Sequence, residues 1–421
     1  MRPGGNRRRT MIPLHRPAFG VGAVLQAAFS PRAMSSTLRQ CEQAHASMSG
    51  CAEAVWLPSA RAGIAWALRA AMGPETKIIG PAFTCSVVHE AMVRSGGRPQ
   101  IIDAASTSFA METAALNAAR TGNHALVLSE PYGHTYDLDQ LAQRTTPPPR
   151  IRVVDSAMAV PHRSLFERLQ GNDFAVVSFG AGKNTYAGWG AMGFTRDAAL
   201  ASEIRKLRDA MVTSGDLKLT LKRSVSIGLR TAAQNPLLFS ATRKLWYQAG
   251  ALRSKLHPKP STPQPTVPSP SAGFPAAWSD NGTCSREWRL PSTHVDISLT
   301  LRNLELAEAV HIKRLALARR YQRNLAGAKG LILPPASRFA LSHFTVRVNA
   351  DIRGRLKEQL LRWGVYTISL WAFNAHLNPS DFPNAYRLCS EVVSLPLSSW
   401  MSEVQVDEVC DRLLRSLELV A

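Results

Sequence analysis

The sequence lacks three features that would place it in other classes of protein. Its 421 residues contain no run of eighteen apolar residues, so no membrane-spanning helix is predicted. Six cysteines are scattered without a CxxC pair, which argues against a zinc site or a disulfide framework and favours a reducing compartment. Acidic residues are scarce, with 30 Asp and Glu against 50 Lys and Arg. The formal charge of +20 indicates anionic partners, for which nucleotide sugars, anionic lipid surfaces and nucleic acid are candidates.

What remains is an ordinary globular composition, with 45% hydrophobic residues in a chain long enough for two packed domains. Short apolar runs alternate with helical stretches between Lys77 and Phe179, a pattern typical of a mostly parallel sheet flanked by helices. Such sheets bind ligands at the carboxyl ends of their strands. Asp155 and Lys183 each follow one of these predicted strands, so we expect both at that edge.

A predicted strand that ends in Ser178 leads into a tight turn, Lys183 and a glycine-rich run to Thr195. Glycine lets the backbone pass close behind the lysine without side-chain obstruction. A lysine held in this way forms a Schiff base with a carbonyl, and pyridoxal 5'-phosphate (PLP) is the cofactor that most often needs one. Asp155 supplies a carboxylate that can keep the pyridine nitrogen of PLP protonated.

Several separated segments resemble the DegT/StrS-type sugar aminotransferases, which are PLP-dependent enzymes of the aspartate aminotransferase fold. The segments that carry the resemblance are Ser178 to Thr195, Val153 to Met158, Asp381 to Ala385 and Ser394 to Leu397. The likeness runs from about Ile12 to Leu419. It implies an α/β, fold-type I PLP-dependent transferase, with a mostly parallel seven-stranded sheet in a large domain and a smaller α+β carboxyl-terminal domain.

The resemblance also implies a role for each candidate site residue. Lys183 binds the cofactor covalently and moves the proton, Asp155 faces the pyridine nitrogen, and Ser178 donates its hydroxyl to the phosphate. The other expected cofactor contacts are Ser59, Ala60, Arg61, Cys85, Met158 and Asn184. Ser59 is predicted to cap a helix, whose amino terminus suits a phosphate because its N–H groups are unpaired and its dipole end is positive. No metal site is expected.

The chain departs from the family pattern at several of these positions. Cys85 stands where a stacking aromatic residue is usual, and Met158 stands where a glutamine usually bonds the ring hydroxyl. The family's Ser-Gly-Thr is Ser59-Ala60-Arg61 here. Its Asn-x-Arg, which reaches the partner subunit's phosphate, is missing; only Glu287-Trp288-Arg289 lies near, in a shifted register. These departures indicate a looser cofactor site or an unusual substrate.

Composition divides the chain into four predicted regions. Residues 1–41 form a mobile basic arm with seven arginines and no acid, within which translation is expected to begin at Met11, and residues 42–216 form the large PLP-binding domain. Residues 217–280 are a basic apolar insertion with a proline-rich linker, and residues 281–421 hold a connecting helix and the small carboxyl-terminal domain.

The resemblance implies a cytoplasmic, homodimeric aminotransferase. It would move an amino group from an amino acid, expected to be glutamate, to a keto sugar, expected to be nucleotide-linked, in polysaccharide or secondary-metabolite biosynthesis. One alternative is a regulatory or scaffold protein that has lost activity. Another is a PLP-dependent sugar dehydratase, in which histidine replaces the lysine, so Lys183 argues against it. No specific nucleic-acid partner is expected, because no recognition motif is present.

The insertion raises a separate hypothesis about location. Between Leu217 and Ser279 there are nine Lys and Arg and no acidic residue, and the first part also carries apolar residues and Trp246. Cationic, apolar helices that bear tryptophan often lie on anionic membranes, so residues 217–256 are a candidate for peripheral contact with the inner membrane face. The alternative is a helical hairpin that packs on the protein's own body.

Overall fold

The computed structural model of the protein describes residues 11–13, 16–30, 34–73, 76–120, 122–143, 148–212, 215–235, 238–239, 288 and 290–420. The helices in these ranges are α1 (Val21–Ala28), α2 (Met34–Ser49), α3 (Ala60–Ala71), α4 (Ser86–Arg94), α5 (Thr113–Ala119), α6 (Leu138–Gln143), α7 (Arg163–Glu167), α8 (Ala198–Met211), α9 (Leu217–Ala233), α10 (His294–Asn324), α11 (Ala350–Arg362), α12 (Pro383–Glu391) and α13 (Glu403–Val420). The strands are β1 (Glu53–Leu57), β2 (Lys77–Pro81), β3 (Arg98–Ile102), β4 (His124–Ser129), β5 (Arg152–Asp155), β6 (Asp173–Ser178), β7 (Ala191–Thr195), β8 (Phe344–Arg347) and β9 (Val392–Leu395).

Among the described residues, seven strands form one sheet in the order β1-β7-β6-β5-β4-β2-β3. Strands β2 to β6 pair in parallel, whereas β7 runs antiparallel to both of its neighbours. Strands β4, β6 and β7 are buried along their whole length, as expected where helices cover both faces of a sheet. This architecture confirms the predicted fold class, a mostly parallel seven-stranded α/β sheet.

The register of the central strands determines which side chains lie together at one edge of the sheet. Ser129 at the end of β4 lies opposite Asp155 at the end of β5. Asp155 in turn lies opposite Val176 on β6, two residues before Ser178. Parallel strands therefore bring these three polar side chains to one edge, where α/β sheets bind ligands.

The carboxyl-terminal part of the chain forms a second, smaller layer. Strands β8 and β9 pair antiparallel, and helices α11 and α13 join them in a separate hydrophobic cluster. The long helix α10 contributes Leu317 and Tyr321 to this cluster and Val295 to the core of the large sheet. The helix begins at His294 because Thr293 caps it in a capping box with Asp296.

The amino-terminal segment differs from the mobile arm expected through residue 41. Over its described residues, α1 packs against α9 and α10, and α2 packs against α10 and β1. Phe19, Val24 and Cys41 are buried in the main core. Helix α1 buries the apolar side chains of Val24 and Ala27, whereas α2 buries mostly polar ones that find partners, such as Glu42, which accepts from the Trp56 N–H at 2.8 Å. This burial and bonding offset the entropy of ordering the arm. Residues 1–10 lie outside the described ranges.

The basic insertion begins as helix α9, which Asp216 caps through its bond from the Leu219 N–H. Ile227 and Thr231 are buried, whereas the remainder of the helix faces outward or is partly covered. Trp246, the proline-rich linker, Glu287 and Arg289 lie outside the described residues. Within the described ranges, no helix combines the length and apolar character that crossing a membrane requires.

Candidate active site

A cavity of about 340 Å³ opens at the carboxyl ends of β4, β5 and β6. It brings together eight of the nine predicted site residues, namely Ser59, Ala60, Arg61, Cys85, Asp155, Met158, Ser178 and Lys183. The ninth, Asn184, is buried beside the cavity and donates a hydrogen bond from Nδ2 to the Met158 carbonyl at 2.7 Å. Asn184 therefore supports the wall of the cavity instead of lining it.

Lys183 follows a tight turn after β6, in which its own N–H bonds to the Gly180 carbonyl. Its Nζ atom lies 3.1 Å from the sulfur of Met158. Burial lowers the pKa of Lys183, and the negative charge of Asp155 opposes that shift. A lysine with a lowered pKa is neutral more often near pH 7, and only the neutral amine can attack a carbonyl.

Asp155 lies in the same cavity, held by hydrogen bonds at both of its oxygens. Oδ1 accepts from the Ala157 N–H at 3.1 Å, and Oδ2 accepts from the Ser129 hydroxyl at 3.4 Å. The Ser129 hydroxyl is itself 2.8 Å from the hydroxyl of Thr84. Burial raises the pKa of Asp155, while the nearby charge of Lys183 opposes the rise.

The amino terminus of α3 supplies one end of the cavity. The Ser59 side chain accepts from the Ala62 N–H, so it caps the helix as predicted. The Ser178 hydroxyl accepts from the Gly180 N–H at 3.4 Å. Arg61 lies 3.8 Å from the Glu90 carboxylate, which draws its charge toward α4. Hydroxyl groups and a helix terminus thus form a polar cradle for an anion.

Among the further residues that line the cavity, four carry a hydroxyl or an indole: Thr84, Ser129, Trp189 and Trp371. Ser129 was foreseeable, because it ends the strand next to Asp155. The two tryptophans were not: Trp371 comes from the carboxyl-terminal layer, and Trp189 lies in the Ser178 to Thr195 segment but was given no role there. His134, which follows the Glu130-Pro131-Tyr132-Gly133 turn, lies outside this cavity and packs on Phe109.

The cavity fits PLP by the chemistry of its donors. It holds one amine, one buried carboxylate and hydroxyl groups at a helix amino terminus, which are the partners that an aldehyde, a pyridine nitrogen and a phosphate require. Bound PLP supplies an electron sink that lets a carbon next to the amino nitrogen lose its proton. Lys183 is the group that can accept that proton at Nζ and return it. Among described residues, no cluster of ligands suited to a metal ion occurs.

The sequence matches the family model described as the DegT/DnrJ/EryC1/StrS aminotransferase family over residues 23–228 and 287–414. One curated relative is the erythromycin biosynthesis sensory transduction protein EryC1 of Saccharopolyspora erythraea, 26% identical, with 88% of this chain and 85% of EryC1 aligned. Another is the spore coat polysaccharide biosynthesis protein SpsC of Bacillus subtilis, 23% identical, with 89% of this chain and 88% of SpsC aligned.

The fold itself is shared with solved structures. The PLP form of Spr1654 from Streptococcus pneumoniae superposes with a TM-score of 0.66 at 18% sequence identity, covering 98% of this chain and all of Spr1654 (100%). At this identity the likeness shows the fold alone. The family match spans the cavity described above, from the capped helix α3 through Lys183 to the signature before α12.

Proposed function

Because the chain belongs to the DegT/DnrJ/EryC1/StrS aminotransferase family, we propose that it transfers an amino group from glutamate to a nucleotide-linked keto sugar. It is a PLP-dependent aminotransferase that acts on sugars. The identity of the donor and the nucleotide linkage are the parts that we add. The product would enter the synthesis of a polysaccharide or a secondary metabolite.

The observation that supports this proposal is the shared cavity of Lys183 and Asp155. In it, burial favours the neutral amine and the Asp155 carboxylate is close enough to oppose that effect. We propose that Lys183 binds the cofactor and moves the proton, that Asp155 holds the pyridine nitrogen, and that Ser59 and Ser178 hold the phosphate. The remaining contacts proposed are Ala60, Arg61, Cys85, Met158 and Asn184.

An anionic acceptor agrees with the charge of the protein. The formal charge of +20 attracts phosphorylated ligands and raises their local concentration near the surface. A nucleotide linkage supplies two phosphates, whereas a free sugar supplies none. The affinity for the acceptor should therefore fall steeply as the salt concentration rises.

The deciding experiment is an absorption spectrum of the purified protein with PLP, before and after glutamate. We expect a band near the visible edge that glutamate bleaches and that Lys183→Ala lacks. Lys206→Ala is the matched control, because Lys206 is an exposed lysine paired with Glu203 on α8. A panel of keto sugar nucleotides should then restore the band. If PLP never binds, the scaffold alternative replaces this proposal.

We also propose that the enzyme is a cytoplasmic homodimer, and that each chain comprises the large domain, the insertion and the small domain named above. Family sites lie at a subunit interface, which is the basis for the dimer. Sedimentation equilibrium at micromolar concentration should give twice the chain mass of 45.9 kDa. A monomer that retains full activity would contradict it.

For the insertion we propose peripheral contact with an anionic membrane. Helix α9 exposes an apolar stripe at every fourth position: Leu217, Leu221, Val225 and Leu229. Helix α1, which packs beside it, exposes a second such stripe: Val21, Leu25 and Phe29. The two stripes are flanked by Lys218, Lys222 and Arg230, and α9 contains no acid. Apolar and cationic side chains together favour an anionic bilayer surface.

Flotation with liposomes tests the contact. We expect the protein to float with vesicles that contain phosphatidylglycerol, and less with pure phosphatidylcholine. The double variant Leu221→Glu, Leu229→Glu should lose this binding, whereas Val404→Glu, Leu419→Glu, at two exposed apolar positions on α13, should keep it. If the double variant instead dissociates a dimer and floats normally, the stripe is a subunit interface.

A further inference from the structure

Trp189 stands between two glycines at the wall of the active-site cavity. Gly188 and Gly190 have φ angles of +109° and +102°, which side-chain-bearing residues rarely adopt. A Cβ atom added at Gly190 would lie 2.4 Å from the indole of Trp56. These two positions fix the backbone of Trp189, whose side chain is 41% exposed and lines the cavity that holds Lys183.

Helix α9 closes over the same loop. The Ile227 side chain packs against the Gly188 backbone so tightly that an added Cβ there would meet its Cδ1 at 2.4 Å. One turn earlier, the guanidinium of Arg223 lies 5.6 Å from the centre of the Trp189 ring. An arginine over an indole face is attracted by the ring electrons and limits the movement of the ring.

The position of Arg223 is itself determined by a buried carboxylate. Its Nη1 donates to Oδ2 of Asp296, which is fully buried near the start of α10. Asp296 also accepts from the N–H and the hydroxyl of Thr293, at 3.0 and 2.7 Å, and so completes the capping box in which Thr293 is the N-cap. The bond to Asp296 therefore holds the Arg223 guanidinium in place over the indole of Trp189.

We propose that Trp189 is the apolar wall against which the sugar ring of the acceptor packs, and that Arg223 is the residue that positions it. This inference rests on the proposed function, since it concerns the acceptor of that same site. The reacting sugar carbon must reach Lys183, and Trp189 lines the same cavity. The nucleotide is separated from that carbon by the phosphates, so the sugar is the part of the acceptor within reach of the indole. An indole face offers a broad apolar surface to the C–H face of a sugar.

Calorimetric titration of the PLP-loaded enzyme tests the proposal. The ligands are UDP-, dTDP- and GDP-glucose, each compared with its free nucleotide. The dissociation constant of the free nucleotide divided by that of the sugar nucleotide isolates what the sugar contributes to binding. We expect Trp189→Ala to lower this ratio about fivefold, the size of one aromatic packing contact, and Trp189→Phe to retain most of it. Affinity for the free nucleotide and bleaching by glutamate should not change.

Trp400→Ala is the matched control, because Trp400 has a similar exposure of 48% and also lies under an arginine, Arg16, but outside the cavity. The positioning role of Arg223 is tested with the same ratio of dissociation constants. Arg223→Met should lower this ratio, and Arg223→Lys should restore part of it by keeping a charge opposite Asp296. Lys222→Met should leave the ratio unchanged.

An unchanged ratio in Trp189→Ala overturns the inference while leaving the proposed function intact. Loss of the glutamate reaction in Trp189→Ala also overturns it, because the tryptophan would then serve the cofactor. If the wild-type enzyme binds no sugar nucleotide better than its free nucleotide, the acceptor class and this inference both fail. Bleaching by glutamate would in that case still show an aminotransferase.

Discussion

The Nζ atom of Lys183 lies 3.1 Å from the sulfur of Met158, at a position where the family resemblance implies a glutamine. A thioether is a weak acceptor and carries no hydrogen for donation. Met158 therefore fills the space beside the amine without offering a hydrogen bond to a cofactor oxygen. The carboxylate of Asp155 is the stronger electrostatic influence on the same amine.

Replacing this methionine by the residue that the resemblance implies should tighten cofactor binding. In Met158→Gln, the added amide donor can form one hydrogen bond in a site shielded from water, which is worth about 1 kcal/mol, or roughly fivefold in the dissociation constant of PLP. Titration of the cofactor-free protein with PLP measures this. Met72→Gln, at the end of α3 outside the cavity, is the control. Equal or weaker binding by Met158→Gln would contradict the prediction.

Removing the Asp155 charge should make Lys183 easier to deprotonate. The charge of Asp155 raises the pKa of Lys183, in opposition to burial, so Asp155→Asn leaves the effect of burial uncompensated. Acylation of Lys183 in the cofactor-free protein, followed by peptide mass spectrometry as a function of pH, should show its midpoint at a lower pH in the variant. Asp139→Asn, an exposed carboxylate on α6, should leave the midpoint in place. An acylation midpoint at higher pH in Asp155→Asn would show that the charge of Asp155 does not raise the pKa of Lys183.

The sequence was informative where chemistry and periodicity are local. Ser59 was predicted to cap a helix and caps α3, and Lys183, Asp155 and Ser178 were found because each lies at or just after the end of an apolar strand. Strand β1 was missed, although it is as long as β2. Its place at the sheet edge depends on pairing with β7, more than 130 residues later.

The parts of the site that escaped prediction come from packing between distant segments. Trp371 reaches the cavity from the carboxyl-terminal layer, and Arg223 reaches Trp189 only because α9 packs on the glycine-rich loop. Composition identified this region only as a basic apolar insertion and specified no partner for α9, although the family match extends to residue 228. Periodicity describes one helix at a time and does not specify the neighbour on which its buried face packs.

Buried histidines should make the protein unstable in acid. Burial lowers the pKa values of His45, His89 and His134 to about 4, below the 6.5 of an exposed histidine. The unfolded chain therefore binds more protons, so the free energy of unfolding is highest above pH 6.5 and falls as the pH drops toward 4. At pH 5 each of these histidines should lower the free energy of unfolding by about 2 kcal/mol. Urea unfolding at pH 7.5 and 5.0 measures the difference.

The variant His89→Gln identifies the source of this acid sensitivity. The ring of His89 contacts the Pro81 carbonyl at 2.8 Å and the Asn374 amide at 2.7 Å, which suits a neutral ring that donates at Nε2 and accepts at Nδ1. His89→Gln should be less stable at pH 7.5 but should lose less stability on acidification. If His89→Gln keeps the wild-type pH dependence, His89 is not one of the titrating groups.

Gly190 and Gly228 should respond in opposite directions to the same substitution. At Gly190 an alanine requires a φ angle of +102° and brings its Cβ within 2.4 Å of the Trp56 ring, so Gly190→Ala should lower the free energy of unfolding by about 3 kcal/mol. At Gly228, in helix α9, a Cβ meets no atom within 4 Å, and alanine is the better helix former, so Gly228→Ala should raise it by about 0.5–1 kcal/mol.

Ligand affinities show whether Gly190→Ala disturbs only the acceptor side of the cavity or the whole loop. Because Gly190 precedes β7 and fixes the backbone of Trp189, Gly190→Ala should also change the acceptor side of the cavity even at temperatures where the variant remains folded. Its affinity for sugar nucleotides should then fall more than its affinity for PLP. Equal losses for both ligands would mean that the substitution unfolds the whole loop from Lys183 onward, since that loop carries the cofactor lysine as well as the tryptophan.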